Sequence, residues 1–249
     1  MEVHAHSHTA RKKLSHYFWE FLVLFLAVFC GYVAEFRLEH KIEKDRAQQY
    51  LFSLYEDLKA DTARLSHVIN WADRKIAALS DMSDCYDTVS KNIKASTCIG
   101  NLVSASKTNR TFWLTDRTLR QLANAGGFRL LPKQDADSIL DYEASFKQYK
   151  DFESTIFQQA QDNVRNTLNS LADFRIYKYF QSTAVGLDTA GIVLTEPILF
   201  SDDRLLINKY FNEMLLYLRV TTAQKILLVT LRTKAIGLLE YYKSKYHYE

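Results

Sequence analysis

The chain has 249 residues, with 32 basic and 29 acidic side chains, a net charge of +3, and only two prolines and seven glycines. Near balance of charge argues against a nucleic-acid binder, which needs a basic face or stripe. So few turn-forming residues argue against a many-turned sheet and for long helices.

Residues 1–16 read as a flexible tail rich in histidine and basic residues. His4, His6 and His8 alternate, but nothing beside them supplies a fixed metal geometry. Arg11, Lys12 and Lys13 are three adjacent positive charges just before an apolar run. By the positive-inside rule they place the N-terminus in the cytoplasm and the following domain outside.

Residues 17–36, YFWEFLVLFLAVFCGYVAEF, are the predicted transmembrane helix. About 20 mostly apolar residues cross a hydrocarbon core of ~30 Å. The charges, Glu20 and Glu35, sit near its two ends, and Tyr17, Trp19 and Tyr32 are the aromatics expected at headgroup level. Membrane lipid is therefore the first expected partner. Glu20 pairs locally with a basic group, reaches the interface, or contacts a membrane partner. A signal-peptide core and a buried helix of a soluble protein are the alternatives, and no small-residue cleavage pattern follows the run.

The helix is expected to continue through 37–82, which lacks Pro and Gly. Leu51, Leu58, Leu65, Ala72 and Leu79 recur every seven residues, and Tyr55, Thr62, Ile69 and Ile76 form a second row. Together they predict an a/d seam. The seam packs inside a bundle or forms a dimeric coiled coil. The charged neck at 37–49 is a solvated stalk or a contact with another chain.

Residues 83–111 are richer in Ser, Thr, Asn and Asp, with one short helix expected at 86–94 and then a loop. Cys85 and Cys98, thirteen apart, are a candidate disulfide in an oxidising compartment and two free thiols otherwise. Asn109-Arg110-Thr111 matches a glycosylation sequon, a motif common by chance. A helix over 115–125, capped by Thr115 or Asp116, is expected to end at Gly126-Gly127. A long helix over 135–180 follows Pro132, with Ile139, Tyr142, Phe146, Tyr149, Ile156, Val164, Leu168, Leu171 and Phe174 on its apolar face. Residues 181–200 have loop composition. Ser201 or Asp202 then caps a final helix over 202–246, whose expected stripe is Leu205, Leu206, Phe211, Met214, Leu215, Leu218, Ile226, Val229, Ile236 and Leu239. ILLVTL at 226–231 is too short between Lys225 and Arg232 to span a membrane.

No nucleophile elbow, zinc-protease motif, P-loop or dinucleotide fingerprint occurs in the chain. No catalytic residue, metal ligand or cofactor is expected. His67 reads as a surface or interhelical residue.

EFLVLFLAVFCGYVAEF running directly into RLEHKIEKDRAQQYLFSLYEDLKADTARL, and later LRQLANAGGFRLLPKQDADSILDYE, resemble a group of uncharacterised bacterial envelope proteins. These have an N-terminal anchor and an α-helical domain of unknown function. The resemblance covers the first 65 residues and 119–143, and it implies a topology rather than an activity. Helical sensor domains of bacterial receptors are a second analogy, although they usually carry two spans.

The expected protein is all-α. An N-terminal transmembrane helix continues into a long helix of an elongated antiparallel bundle at 37–249. The expected role is a non-enzymatic, single-pass scaffold or partner-binding protein of the cytoplasmic membrane, with its domain periplasmic or extracytoplasmic. Its partner is another protein or a second copy. The alternative is a small-ligand sensor with a pocket near 181–200. A hydrolase or metalloenzyme ranks last.

Overall fold

The computed structural model of the chain describes residues 14–92, 97–107, 109–173 and 199–248. Among them the secondary structure is helical, apart from one isolated antiparallel bridge between Ala172 and Leu199. Helix α1 runs from Leu14 to Ser80, and α2 covers Met82–Lys91. Then come α3 (Thr97–Lys107), α4 (Arg117–Asn124), a 3₁₀ turn (Gly127–Leu130) and α5 (Lys133–Phe152). A π-helical turn at Glu153–Phe157 joins α5 to α6 (Gln158–Leu171), and α7 spans Arg204–Tyr246.

The chain divides into two units, Met1–Tyr50 and Leu51–Glu249. In the first, the described side chains from His16 to Ile42 are exposed, save a half-buried Leu22. In the second, α5, the π turn and α6 pack along α7, while α2 packs on α7 and α3 packs on α6.

The seam of α1 is partly as spaced in the sequence. Leu51, Tyr55, Leu58, Leu65, Ala72 and Leu79 are buried, whereas Thr62, Ile69 and Ile76 are half-buried. The more deeply buried second row is Leu54, Asp61, Val68 and Lys75, and Met82 at the start of α2 continues its sevenfold spacing. It includes two charged residues, so a search for apolar periodicity passes over it.

The same correction applies to α7. Leu205, Leu215, Ile226 and Val229, expected on its core stripe, are exposed, Leu205 by 83% and Ile226 by 61%. The buried rows are Ile207, Met214, Thr221, Leu228, Ala235, Tyr242 and Tyr210, Tyr217, Gln224, Leu231, Leu238. Both keep a step of seven, the a/d geometry of helices packed at a shallow angle. α7 is also long and apolar enough, by composition, to cross a membrane. Leu228 and Leu231, however, lie in the core of the folded unit.

Three other expectations change. Residues 97–107, read as loop, are helical because Ile99, Leu102, Val103 and Ser106 recur at three- and four-residue steps and are buried. The helix expected at 86–94 is α2, which begins four residues earlier at Met82. The helix expected to reach Phe180 ends at Leu171, where Ala172 turns extended and pairs with Leu199. Phe174 and most of the 181–200 connector lie outside the described residues.

The π turn explains the exposure of Ile156. It widens the helix locally, so Glu153 and Phe157 face inward and Ile156 faces out. At the end of α4, Gly126 adopts φ 62°, the left-handed conformation that favours glycine after a helix.

Candidate functional site

Two features stand out: an uncovered apolar surface and a column of buried polar groups. The first is the stretch from Tyr17 to Phe36. Tyr17, Trp19, Glu20 and Tyr32 are all exposed, and Val28 reaches 74%. Phe21, Phe25 and Phe29 stack at four-residue steps with centroids about 6 Å apart, and Tyr32 stacks on Phe36. Glu20 pairs with His16 Nε2 at 3.1 Å, one turn back, which is the local pairing its position allows. Arg11, Lys12 and Lys13 lie outside the described residues.

The polar column belongs to the second unit. Asp57 and Asp61, one turn apart on α1, hold the segment entering α4. Asp61 Oδ1 accepts from the Thr115 backbone N–H (2.9 Å) and hydroxyl (2.6 Å), and Oδ2 accepts from Tyr142 OH (3.1 Å). Asp57 accepts from Arg117 (2.9 Å) and from the Thr118 N–H (3.3 Å) and hydroxyl. The cap of α4 thus comes from α1. Asp116, at the N-cap position, makes no side-chain cap bond and pairs with Arg120 instead. Desolvation raises the Asp61 pKa, and its hydrogen bonds and Arg64 oppose that shift.

Next along α5, the Phe112 N–H donates to Tyr149 OH (3.1 Å), which donates to Glu153 (2.9 Å). Glu153 also accepts from Lys150 (2.7 Å) and from Gln224 of α7 (3.5 Å). The widened π turn turns this carboxylate inward. At the start of α5, Asp135 is fully buried and accepts from Lys245 Nζ at 2.9 and 3.0 Å and from Tyr246 OH. Burial, reinforced by the bond to Asp135, pushes the Tyr246 hydroxyl up to about 12.

Lys75 is the most unusual member. It is fully buried, with Nζ 4.5, 4.6 and 5.1 Å from the ring centroids of Trp71, Tyr217 and Phe157. Nζ donates to Tyr217 OH, which donates to the Ser106 carbonyl (3.4 Å). Burial holds its pKa well below the lysine range and raises that of Tyr217.

Each of these groups ties one helix to another. The sequence signal for them was the sevenfold spacing of Tyr142 with Tyr149 and of Tyr210 with Tyr217, a row of rings whose hydroxyls need polar partners. Among the described residues, no group of three His, Cys, Asp or Glu side chains is placed to hold a metal ion. His67 is exposed.

Cys85 of α2 and Cys98 of α3 are joined by a disulfide, with Cα atoms 5.6 Å apart. Cys30 is free and exposed. The bond fastens α3, a helix of weak propensity, to α2. Replacing both cysteines by Ala is expected to lower the unfolding free energy by up to about 3 kcal/mol, the chain-entropy value for a loop of this size. Urea unfolding of the full chain in detergent, followed by circular dichroism, measures it.

Compared with protein-family profiles, with curated proteins and with solved structures, the chain gives no match in any of the three.

Proposed function

We propose that the chain is a non-enzymatic, single-pass scaffold or partner-binding protein of the bacterial cell envelope, anchored by residues 17–36 and carrying an elongated antiparallel helical bundle outside the cytoplasmic membrane. The observation that carries this reading is the uncovered apolar run of the first unit. Phe21, Val23, Leu24, Phe25, Val28 and Phe29 are all more than half exposed, and none of the apolar window is buried. Water around so much apolar surface is unfavourable by about 25 cal/mol per Å², and a bilayer removes it. Nearly all backbone polar groups of this stretch are paired within α1, as a hydrocarbon environment requires.

The bundle's chemistry supports a structural role. Asp57, Asp61, Asp135 and Glu153 are each engaged in joining helices. The Cys85–Cys98 disulfide supports an oxidising compartment, in line with the outward orientation that Arg11–Lys13 imply. The partner is a second protein or another copy of this chain.

The test is fractionation plus thiol labelling, with Cys30 replaced by Ala. The chain is expected to stay in the membrane pellet after carbonate washing. A membrane-impermeant maleimide is expected to reach Cys85 and Cys98 in spheroplasts only after an impermeant reductant. Release by carbonate overturns the anchor. Labelling without reductant, and only after lysis, puts the bundle in the cytoplasm.

A further inference from the structure

We infer that the cleft between the end of α2 and the start of α7 is a binding site for a small α-amino acid with an acidic side chain. The cleft encloses about 310 Å³, at the lower end of the ~300–1,000 Å³ range of ligand pockets. Val89 and Ile207, both buried, give it an apolar part, and Tyr86 adds a ring. Lys91, Asp202 and Arg204 are the charged groups of its lining, with Ser90 beside Lys91. Both walls are held in place. The Tyr86 ring packs edge-on against Phe211 of α7, centroids 5.1 Å apart, and its hydroxyl donates to Asn208 (3.5 Å). The Phe200 and Ser201 N–H groups donate to the Leu171 carbonyl (2.8 and 3.3 Å), and the Asp203 N–H donates to the Ser201 hydroxyl (3.2 Å).

Asp202 sits between these anchored residues without serving the helix. The spacing in the sequence offers Ser201 or Asp202 as the cap of α7, but the cap is Asp203, whose Oδ1 accepts from the Leu205 and Leu206 N–H groups (2.9 and 3.3 Å). Among the described residues, the side chains of Lys91, Asp202 and Arg204 make no hydrogen bond or ion pair. The Ser90 hydroxyl donates to the Asp87 carbonyl (3.0 Å), which leaves its oxygen as an acceptor. The cleft therefore offers charge of both signs. A simple anion meets Asp202, and a simple cation meets Lys91 and Arg204. Two cations and one carboxylate are matched by two carboxylates and one ammonium, the charges of a small acidic amino acid. The planar guanidinium of Arg204 suits a carboxylate, which it can hold through two parallel bonds. Asp202 and Ser90 supply acceptors for the ammonium. The inference stands on the cleft alone and not on the anchoring reading.

L-Glutamate is the probe, titrated by ligand-observed NMR against the full chain in lipid nanodiscs at low salt, with empty nanodiscs subtracted. Saturable binding is expected, weakening as salt is raised. Glutarate, which lacks the ammonium, and 4-aminobutyrate, which lacks the α-carboxylate, are each expected to bind about threefold more weakly or worse, the order of one solvent-accessible ion pair. Lys91→Gln and Arg204→Gln are each expected to weaken glutamate by a similar factor. Asp202→Asn is expected to weaken glutamate while leaving glutarate unchanged or more tightly bound, a contrast that a merely structural role does not produce. All three positions are exposed, and unchanged circular dichroism confirms that the variants fold. Absence of saturable binding above empty nanodiscs overturns the inference. So does glutarate that matches glutamate, glutamate binding that the Gln variants leave unchanged, or an Asp202→Asn change that affects both ligands alike.

Discussion

Asp61→Leu is expected to lower the unfolding free energy by about 3–5 kcal/mol, the range for removing one partner from a buried charged network. The loss comes less from the missing bonds than from what they leave behind. The Thr115 N–H and Tyr142 OH both point at Asp61, and each donor stranded in the core costs about 1–3 kcal/mol. Tyr142→Phe removes only one donor together with its need for a partner, so it is expected to cost about 1 kcal/mol. In Asp61→Leu, a second Tyr142→Phe change therefore recovers part of the loss, because it deletes a stranded hydroxyl. Such non-additivity is the signature of neighbours in one network. Equilibrium urea unfolding of the four chains, read by circular dichroism, completes the cycle. If the losses simply add, Asp61 and Tyr142 do not act on one another.

Titration of Asp61 has a defined sign. Its folded pKa is raised above the ordinary 3.8, chiefly by desolvation. Between those two values the folded state holds the proton more tightly than the unfolded one. The stability linked to this group is thus fully present below pH 3.8 and declines as pH rises through the folded pKa. Asp61→Asn removes that dependence.

The sequence made the helices legible and their inward faces only half so. Length, scarcity of Pro and Gly, and sevenfold leucines suffice for α1 because Leu51, Leu58, Leu65 and Leu79 bury a continuous edge. The facing row is hidden because Asp61 and Lys75 occupy core positions that hydropathy assigns to water. In α7 the confusion reverses. Leu205, Leu215, Ile226 and Val229 are apolar but exposed, while Thr221 and Gln224 are buried. A composition-weighted stripe follows the first group. The constant step of seven through Tyr210, Tyr217, Gln224, Leu231 and Leu238 follows the second, and here period carries more information than polarity. Helix α3 was illegible for another reason. Its Gly, Ser and Thr residues give little intrinsic helicity, and its order depends on burial of Ile99, Leu102 and Val103 and on the tie at Cys98. The π turn has no local signal at all. It exists because Glu153 and Phe157 both face inward, one to Tyr149 and Gln224 and the other to Tyr217.

Lys75 sets two effects against each other, and their magnitudes predict the sign of a substitution. Three rings within about 5 Å of Nζ attract a cation, each worth about 2 kcal/mol when desolvated. Burying an ammonium costs several kcal/mol even after relaxation. Desolvation wins, which is why the pKa falls well below the usual 10.5. Lys75→Met keeps most of the side-chain volume and removes the charge. Tyr217 retains Ser106 as its acceptor. The variant is expected to be more stable than the parent at neutral pH by about 1–4 kcal/mol. Lys75→Ala removes the same charge but leaves a void among Trp71, Phe157 and Tyr217, a defect worth about 2–5 kcal/mol. It is therefore expected to fall below Lys75→Met by that amount.

The pH dependence separates charge from packing. Between the folded pKa and 10.5 the unfolded chain holds the extra proton, so the parent gains stability as pH rises through that window. The advantage of Lys75→Met is largest below the window and vanishes above it. Above pH 10 both chains lose stability, because Tyr217 ionises in the unfolded state while burial keeps it protonated in the folded one. Urea midpoints of the parent and the Met variant between pH 6 and pH 10 measure the convergence. A Met variant less stable than the parent at pH 7 overturns the argument: the aromatic cage would then outweigh desolvation and hold Lys75 charged.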